Sequence, residues 1–275
     1  MGQTIACANQ KGGVGKTTTV VNLASHLALL GDRVLVIDLD PQGNATSGLG
    51  VDRSTVERSM YEALVDGVAL DQLVVQGTAE GVDLVPAAIA LAGADLELAG
   101  VMARERRLRR LVEPVAADYD VIFIDCPPSL GLLTVNALTA ADAVLIPLQC
   151  EYYALEGLTQ LLATIDLVRD NLNPALKLDG IVLTMYDART NLSADVAGEA
   201  RRHLGGFVYD EVIPRSVRLS EAPSHGLPIT RYAPESRGGL AYERLAHEFR
   251  TRSGREPVLA AHTDTEARDA AMVMS

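Results

Sequence analysis

The sequence predicts an α/β protein with one doubly wound, mostly parallel β-sheet and helices on both faces. Short apolar segments alternate with longer segments in which apolar residues recur every three to four positions, the pattern of βαβ units. Two of the short segments, Val34–Ile37 and Val121–Ile124, are apolar at every position, as expected of strands covered on both faces. The chain has 275 residues and 48% hydrophobic content, enough to bury such a core.

The elements follow from these periodicities in chain order. The predicted strands are Thr4–Asn9, Arg33–Asp38, Gly81–Val85, Asp120–Asp125, Ala143–Leu148, Leu178–Thr184 and Val208–Ile213. The predicted helices are Thr17–Leu30, Arg104–Ala116, Leu132–Ala140, Leu155–Arg169, Ala194–Leu204 and Gly238–Arg250. From about Thr251 the period is lost, so we expect one domain over residues 1–250 and a frayed tail over residues 251–275.

Composition and charge narrow the possible functions. The chain has 36 acidic and 24 basic residues, a formal net charge of −12, so its overall charge indicates neither nucleic acid nor an anionic membrane as a partner. The three cysteines lie far apart without CxxC spacing, which predicts buried, reduced thiols. The sequence shows no signal peptide and no run of about 20 apolar residues, so we expect a soluble, cytoplasmic protein.

A phosphate-binding loop is predicted between the first strand and the first helix. The motif is Lys11-Gly12-Gly13-Val14-Gly15-Lys16-Thr17-Thr18. Its glycines let successive backbone N–H groups point inward, and the helix that begins near Thr17 adds the positive end of its dipole. We expect Lys16 to neutralise the β and γ phosphates of a nucleotide, Thr17 to bind Mg²⁺ and Thr18 to reach the α-phosphate.

Carboxylates stand at the ends of two apolar strands. Asp38 and Asp40 close the second strand, and Asp125 follows Val121–Ile124. Ligands of open α/β sheets bind at the carboxyl ends of the strands, so we expect these acids beside the phosphate-binding loop. Four apolar residues followed by an acid form the Walker B arrangement, which holds Mg²⁺ through water. The predicted residues of the magnesium site are Thr17, Asp38, Asp40 and Asp125.

A lysine at the head of the phosphate-binding loop departs from the ordinary Walker A pattern. With it, the loop resembles the deviant Walker A signature KGGxGKTT of the ParA/MinD class of ATPases. The likeness extends to the short chromosomal ParA proteins of the Soj group over blocks that reach from residue 1 to about residue 250. These blocks are Lys11–Thr18, Asp38–Gly50, Asp125–Ser129, Gln149–Gly157, Thr184–Asn191 and Ile213–Ser224.

This resemblance implies an ATPase that forms an ATP-bound sandwich homodimer. In the family, the residue at the place of Lys11 crosses to the nucleotide of the other subunit, and the one at the place of Glu151 contacts that nucleotide as well. The aspartate matching Asp40 orients or deprotonates the attacking water, while the one matching Asp38 supports the loop and the Mg²⁺ shell. The resemblance therefore implies ATP and Mg²⁺ as cofactors and Lys11, Lys16 and Asp40 as catalytic residues.

The same resemblance places the adenine. Met185 and the segment Pro214–Arg215 fall where family members hold the base. Position 216 is serine, whereas asparagine is usual there, so a side-chain amide contact to the base or ribose is lost or replaced.

The resemblance implies DNA binding, although the chain as a whole is acidic. The ATP-bound dimer of the family binds double-stranded DNA without sequence preference, at the nucleoid, and a ParB-like centromere-binding partner stimulates hydrolysis and release. Arginines gather in the C-terminal third, and those at 189 and 218 match family positions on the DNA surface. The predicted DNA-binding residues are Arg189, Arg201, Arg202, Arg218 and Arg231. For a second group, Arg104–Arg110, a solvated helix face is an equally good explanation.

Three other functions are weighed. A MinD-like membrane ATPase needs a basic amphipathic C-terminal helix, whereas Val258–Ser275 is rich in alanine and carries three acids and only Arg268 as a base. A cluster-bearing reductase like the nitrogenase iron protein needs paired cysteines, and Cys126 has no obvious partner. A scaffold with an inactive nucleotide site is disfavoured because Lys16, Asp40 and Asp125 are all present.

Overall fold

The computed structural model describes residues 2–152 and 154–255. Its strands form one parallel sheet in the order β3-β2-β4-β1-β5-β6. They are β1 (Gln3–Cys7), β2 (Val34–Asp38), β3 (Asp83–Val85), β4 (Val121–Asp125), β5 (Ala143–Gln149) and β6 (Lys177–Thr184). The chain order reverses across β1, and this switch point is where ligands of doubly wound sheets bind.

Helices connect the strands. They are α1 (Lys16–Leu29), α2 (Asn44–Gly48), α3 (Met60–Asp66), α4 (Ala94–Glu97), α5 (Arg107–Val112), α6 (Leu132–Ala140), α7 (Ala154–Asn171), α8 (Asn191–Leu204), α9 (Val217–Glu221), α10 (Ile229–Tyr232) and α11 (Arg237–Arg252). Within the described ranges, no helix combines the length and apolar character needed to cross a membrane.

Apolar side chains pack on both faces of the sheet. Successive strand residues alternate between the faces: Ala6 joins the cluster formed with α3, α5, α6, α7 and α8, whereas Ile5 and Cys7 join the cluster with α1 and α11. The second cluster includes Phe123 from the centre of the sheet against Phe249 of α11, with ring centroids 5.8 Å apart. The predicted fold class, a doubly wound parallel sheet with helices on both faces, is confirmed.

The seventh predicted strand, Val208–Ile213, is wrong. Only isolated contacts with β6 form there: Tyr209 N donates to Ile181 O and Ile213 N donates to Leu183 O. Between these contacts the backbone N–H groups of Asp210 and Glu211 donate to the carboxylate of Glu248, at 2.8 and 2.9 Å. A side chain of α11 therefore takes the donors that a continuous ladder needs.

The predicted helix Arg104–Ala116 is interrupted. A 3₁₀ turn over Arg104–Arg106 precedes the six-residue α5, and Pro114 follows it, a residue that disfavours helix at the position before it. Two arginines of this group have partners within the chain: Arg107 donates to Val65 O, and Arg109 forms an ion pair with Glu113.

At the C-terminus the last helix extends to Arg252, slightly past its predicted end. Most of the predicted tail lies outside the described residues. The three cysteines are buried free thiols, as predicted.

Candidate functional site

The phosphate-binding loop joins the end of β1 to the start of α1. Gly13 and Gly15 have φ angles of +75° and +91°, a left-handed conformation that glycine adopts without strain. Thr184, at the end of β6, donates its hydroxyl to Val14 O at 2.8 Å and so anchors the loop to the sheet. The sequence pattern predicted this turn because the glycines stand where the curl requires them.

The two lysines of the loop are linked by a hydrogen bond from the side chain of one to the backbone of the other. Lys16 is buried, and its Nζ donates to Lys11 O at 3.1 Å, across the curl of the loop. The Lys11 side chain points elsewhere: its Nζ lies 2.8 Å from Glu151 Oε2, and both side chains are about half exposed. Gln149 also donates to Glu151. Within one chain, the two residues expected to act across a dimer are thus paired with each other.

Buried carboxylates face one another beside the loop. Asp38 and Asp125 are register partners at the ends of β2 and β4. Asp125 Oδ2 accepts a hydrogen bond from the Thr17 hydroxyl at 2.7 Å, and Asp38 Oδ2 accepts from Thr46 N and Oγ1 at 2.8 and 2.7 Å. Asp40 is buried as well and donates its N–H to Asp38 Oδ1 at 3.2 Å. The structure therefore brings all the predicted magnesium-site residues together.

Burial shifts the protonation of this acidic group. It raises the pKa of Asp38 to about 6, although hydrogen bonds from Thr46 oppose the shift. Burial also raises the pKa of Asp125 well above its usual value, and the negative charge of Asp38 adds to that effect. Asp125 Oδ1 is buried and has no hydrogen-bond partner in the described part of the chain. A cation would both occupy that oxygen and relieve the repulsion.

The residues present fit Mg²⁺ bound together with a nucleotide. Among residues 2–152 and 154–255, no three histidine, cysteine, aspartate or glutamate side chains close around an ion. Mg²⁺ is usually held by one or two protein groups, with phosphate oxygens and water completing its shell, so a protein cage is not required. The positions of Thr17 and Asp125 suit this role. Asp38 lies beside Asp125 on the neighbouring strand, and Asp40 is hydrogen-bonded to Asp38.

A cavity of about 290 Å³ extends from the loop toward the C-terminal third. Gly15 and Thr18 line it at the phosphate end, and its other lining residues are Thr184, Met185, Ile213, Pro214, Arg215, Ser216, Leu219, Ser220, Pro223 and Tyr242. Met185 has φ of +51°, which is rare for a bulky residue and is concentrated at binding sites. The residues expected to hold adenine therefore do share one cavity with the loop.

Sequence reasoning missed several residues of this site. Leu219, Ser220 and Pro223 line the cavity, and Thr46 supports Asp38. All four lie inside the blocks Asp38–Gly50 and Ile213–Ser224 that carry the family resemblance. The blocks were the available signal, but periodicity alone could not show which of their side chains point inward.

The predicted DNA-binding arginines are exposed, and most pair with an acid of the same chain. The pairs are Arg189 with Asp187, Arg202 with Glu199, Arg218 with Glu221, and Arg231 with Glu80, at 2.5 to 3.1 Å. Arg201 donates to the backbone oxygen of Asp210 at 3.4 Å. A phosphate group would have to compete with a carboxylate at four of these positions.

Comparison with known proteins identifies the family. A family model described as an AAA domain matches residues 2–178. The sporulation initiation inhibitor protein Soj of Bacillus subtilis is 57% identical over 248 residues, spanning 90% of this chain and 98% of that protein. The chromosome partitioning protein ParA of Caulobacter vibrioides is 51% identical over 250 residues, spanning 90% and 94%. The chain belongs to the ParA/Soj family of chromosome-partitioning ATPases.

Solved structures of similar proteins hold nucleotide and magnesium. A structure from Mycobacterium smegmatis, named cobyrinic acid a,c-diamide synthase, contains ADP and magnesium; it is 41% identical over 94% of this chain and 98% of its own, with a TM-score of 0.80. A second structure of that protein holds an ATP analogue and magnesium. MinD of Pyrococcus horikoshii, complexed with Mg-ADP, is 27% identical over 92% and 98% of the chains, with a TM-score of 0.77. ATP or ADP with Mg²⁺ is thus the ligand set of solved relatives of this ParA/Soj chain.

Proposed function

We propose that this chain is an ATP-dependent DNA-partitioning ATPase. Its ATP-bound homodimer binds double-stranded DNA without sequence preference, and a ParB-like centromere-binding partner stimulates hydrolysis and release. The observation that carries the proposal is the meeting of Lys16, Thr17 and the buried acids at the carboxyl ends of β1, β2 and β4. A cavity of about 290 Å³ opens from the same loop.

Hydrolysis at this site requires few protein groups. The backbone N–H groups of residues 12–18 cradle the phosphates, and Lys16 neutralises their charge. Thr17 and Asp125 would hold Mg²⁺, which would neutralise negative charge on the β and γ phosphates. Asp40 orients or deprotonates the attacking water. Asp38 fixes the position of Asp40 by accepting a hydrogen bond from the Asp40 N–H.

Dimerisation changes the partner of Lys11. In one chain its ammonium is paired with Glu151, a half-exposed contact worth no more than about 1 kcal/mol. A triphosphate in a second subunit offers more negative charge than one carboxylate, so the lysine can exchange its partner at small cost. Glu151 is then free to contact the nucleotide of the other subunit. Support for this exchange comes from the exposure of both side chains.

DNA binding follows from pooling arginines in the dimer. If each subunit supplies about three arginines, six phosphates are neutralised and log affinity falls with log salt at a slope of about −5. One subunit alone supplies half of that. The acidic partners of these arginines reduce the contribution of every subunit, so tight binding requires the arginines of both.

The names of the relatives differ, and sequence identity separates them. Relatives named for chromosome partitioning reach 53% and 51% identity, in Thermus thermophilus and Caulobacter vibrioides, whereas the structure named as a synthase is 41% identical. The membrane-bound alternative depends on Val258–Ser275, which lies outside the described residues. We therefore propose partitioning and let assays with DNA and with liposomes separate these functions.

The test is ATP hydrolysis measured alone, with DNA, and with DNA plus a ParB-like partner. We expect slow hydrolysis alone and stimulation when both are added. Asp40→Ala should bind ATP, dimerise and remain on DNA without turnover, whereas Asp71→Ala, at an exposed acid of the 3₁₀ turn Leu70–Gln72, should behave as wild type. Rapid turnover by Asp40→Ala would remove that residue from catalysis, and no response to DNA or partner would reject the proposal.

A further inference from the structure

Helix α9 separates the nucleotide-base cavity from the arginine-bearing surface. On its inner side Leu219 and Ser220 line the cavity. On its outer side Val217 is 71% exposed and Arg218 is exposed, while Leu219 is only 8% exposed. The five residues of α9 therefore lie between the cavity that we expect to hold the base and Arg218, which we expect to contact DNA.

Leu219 has limited freedom to move, because a second helix packs closely against it. It packs against the first turn of α11 at Gly238, where a Cβ atom would lie only 2.6 Å from Leu219 Cγ. The glycine permits this close approach, so the first turn of α11 packs directly against the leucine. A base that fills the cavity would contact a leucine that α11 already restrains. A shift of that side chain would therefore move the backbone of α9 with it.

On the outer side, hydrogen bonds fix Arg218 to the same structural unit. The Glu221 carboxylate accepts hydrogen bonds from Arg218 Nη1 at 2.9 Å and from the Tyr232 hydroxyl at 3.1 Å. The Tyr232 ring stacks on His225, with centroids 4.9 Å apart. Because Glu221 ends α9, a shift of this helix moves the guanidinium and its acceptor together.

We propose that α9 couples occupancy of the base cavity to the presentation of Arg218, with Leu219 as the positioning residue. This inference rests on the proposed DNA binding and adds a second requirement to it. Dimerisation brings two arginine surfaces together, and the base sets the place of Arg218 within each. A dimer in which the cavity wall is cut back binds DNA with fewer arginines.

The first test compares Leu219→Ala with Val217→Ala in the full chain at saturating ATP. Dimerisation is followed by sedimentation, and DNA affinity is measured across salt concentrations. We expect Leu219→Ala to dimerise but to lose one phosphate contact per subunit, so its salt slope becomes shallower by about 1.8. Val217→Ala, on the exposed side of the same helix, should keep the wild-type slope. A dimeric Leu219→Ala variant with the wild-type slope would overturn the coupling.

A second measurement decides the matter if Leu219→Ala fails to fold or dimerise. The chain has no tryptophan, so Val217→Trp places a single fluorescent reporter on the outer side of α9. Saturating Mg-ADP, which carries the base, should shift the emission, whereas inorganic pyrophosphate with Mg²⁺ should not. Equal responses to both, or none to either, would contradict the coupling. Failure of the wild-type protein to bind DNA with ATP would instead reject the proposed function.

Discussion

At the scale of single residues, buried carboxylates dominate the site. Asp38 and Asp125 face each other on neighbouring strands, and burial raises the pKa of both. For an acid, a raised native pKa means that the folded protein holds the proton more tightly than the unfolded chain does. Stability is then lost as pH rises from the usual aspartate value of about 4 through about 6. The site is therefore strained at neutral pH unless a cation is bound.

Removing one of these charges tests that strain. Asp125→Asn keeps an acceptor for the Thr17 hydroxyl but removes the buried charge. We expect the nucleotide-free variant to be more stable than wild type by about 0.5–2 kcal/mol at pH 7.5, as for other relieved functional sites. The gain should shrink as the pH falls below about 6 toward pH 5, because Asp38, whose pKa is raised to about 6 by burial, then loses its negative charge.

Urea unfolding at both pH values measures this difference, with Asp71→Asn as the exposed-acid control. The variant should also lose the stabilisation that Mg-ATP gives to wild type. A variant less stable than wild type at both pH values would show that the Asp125 charge is already compensated in the empty site.

Lys11 gives a second prediction at this scale. Lys11→Ala removes the pair with Glu151, a half-exposed contact, so the free energy of unfolding should change by less than about 1 kcal/mol. ATP should still bind to the single chain through Lys16, but the ATP-dependent dimer should be lost. Sedimentation with ATP and with ADP measures both states.

The chain offers a close control for this variant. Lys177, at the start of β6, is exposed and far along the chain from the loop, so Lys177→Ala should dimerise like wild type. An ATP-dependent dimer of Lys11→Ala as tight as that of Lys177→Ala would exclude a role for Lys11 at the subunit interface.

At the scale of elements, the sequence predicted the sheet better than its margins. The segments of β2 and β4 are apolar at nearly every position because helices cover both sides, and that pattern is local. Val208–Ile213 is equally apolar at its ends, but its central donors go to Glu248, about 40 positions later. Competition of this kind depends on tertiary packing, which no local pattern records.

The same reasoning separates the predictable parts of the site from the rest. Gly13, Gly15 and the acids that end β2 and β4 are fixed by spacing relative to strands, so motifs reveal them. The pairings of Lys11 with Glu151 and of Arg231 with Glu80 arise between side chains that are far apart in sequence and are brought together by folding. Charge counts along the chain did not predict them.

Gly180 tests how the irregular segment packs against β6. A Cβ atom at this position would lie 2.5 Å from the Tyr209 ring and 2.9 Å from Phe207 O. Gly180→Ala should therefore destabilise the protein by about 1–3 kcal/mol through overpacking. Gly198, on α8 with no atom within 4 Å of an added Cβ, is the matched control, and Gly198→Ala should stabilise by up to about 1 kcal/mol.

Chemical unfolding of both variants measures these changes. Equal stability of Gly180→Ala and wild type would mean that Tyr209 can move away from β6. The described contact between residues 207–209 and that strand would then be loose.

At the scale of the whole molecule, an acidic protein is expected to bind an acidic polymer. The net charge of −12 opposes DNA at long range, but screening limits that opposition to about 8 Å at physiological salt. Exposed arginines can then act locally, although four of the five predicted ones are paired with acids. A single subunit should therefore bind DNA weakly, and affinity should depend on how many arginines one particle presents.

Arg218 provides the prediction for this scale. Arg218→Ala should leave ATP binding and dimerisation unchanged and weaken DNA binding by a similar factor for every sequence tested, because phosphate contacts carry no base information. Binding titrations with several unrelated duplexes measure this. A loss confined to particular sequences would indicate base contacts instead.

The most direct test of the central claim is the salt dependence of DNA binding by the wild-type protein with ATP, with ADP and without nucleotide. The account predicts a slope of log affinity against log salt of about −5 with ATP and no more than about half that slope in the other two states. Equal slopes and equal affinities in all three states would contradict the claim that the ATP-bound pair creates the DNA-binding surface.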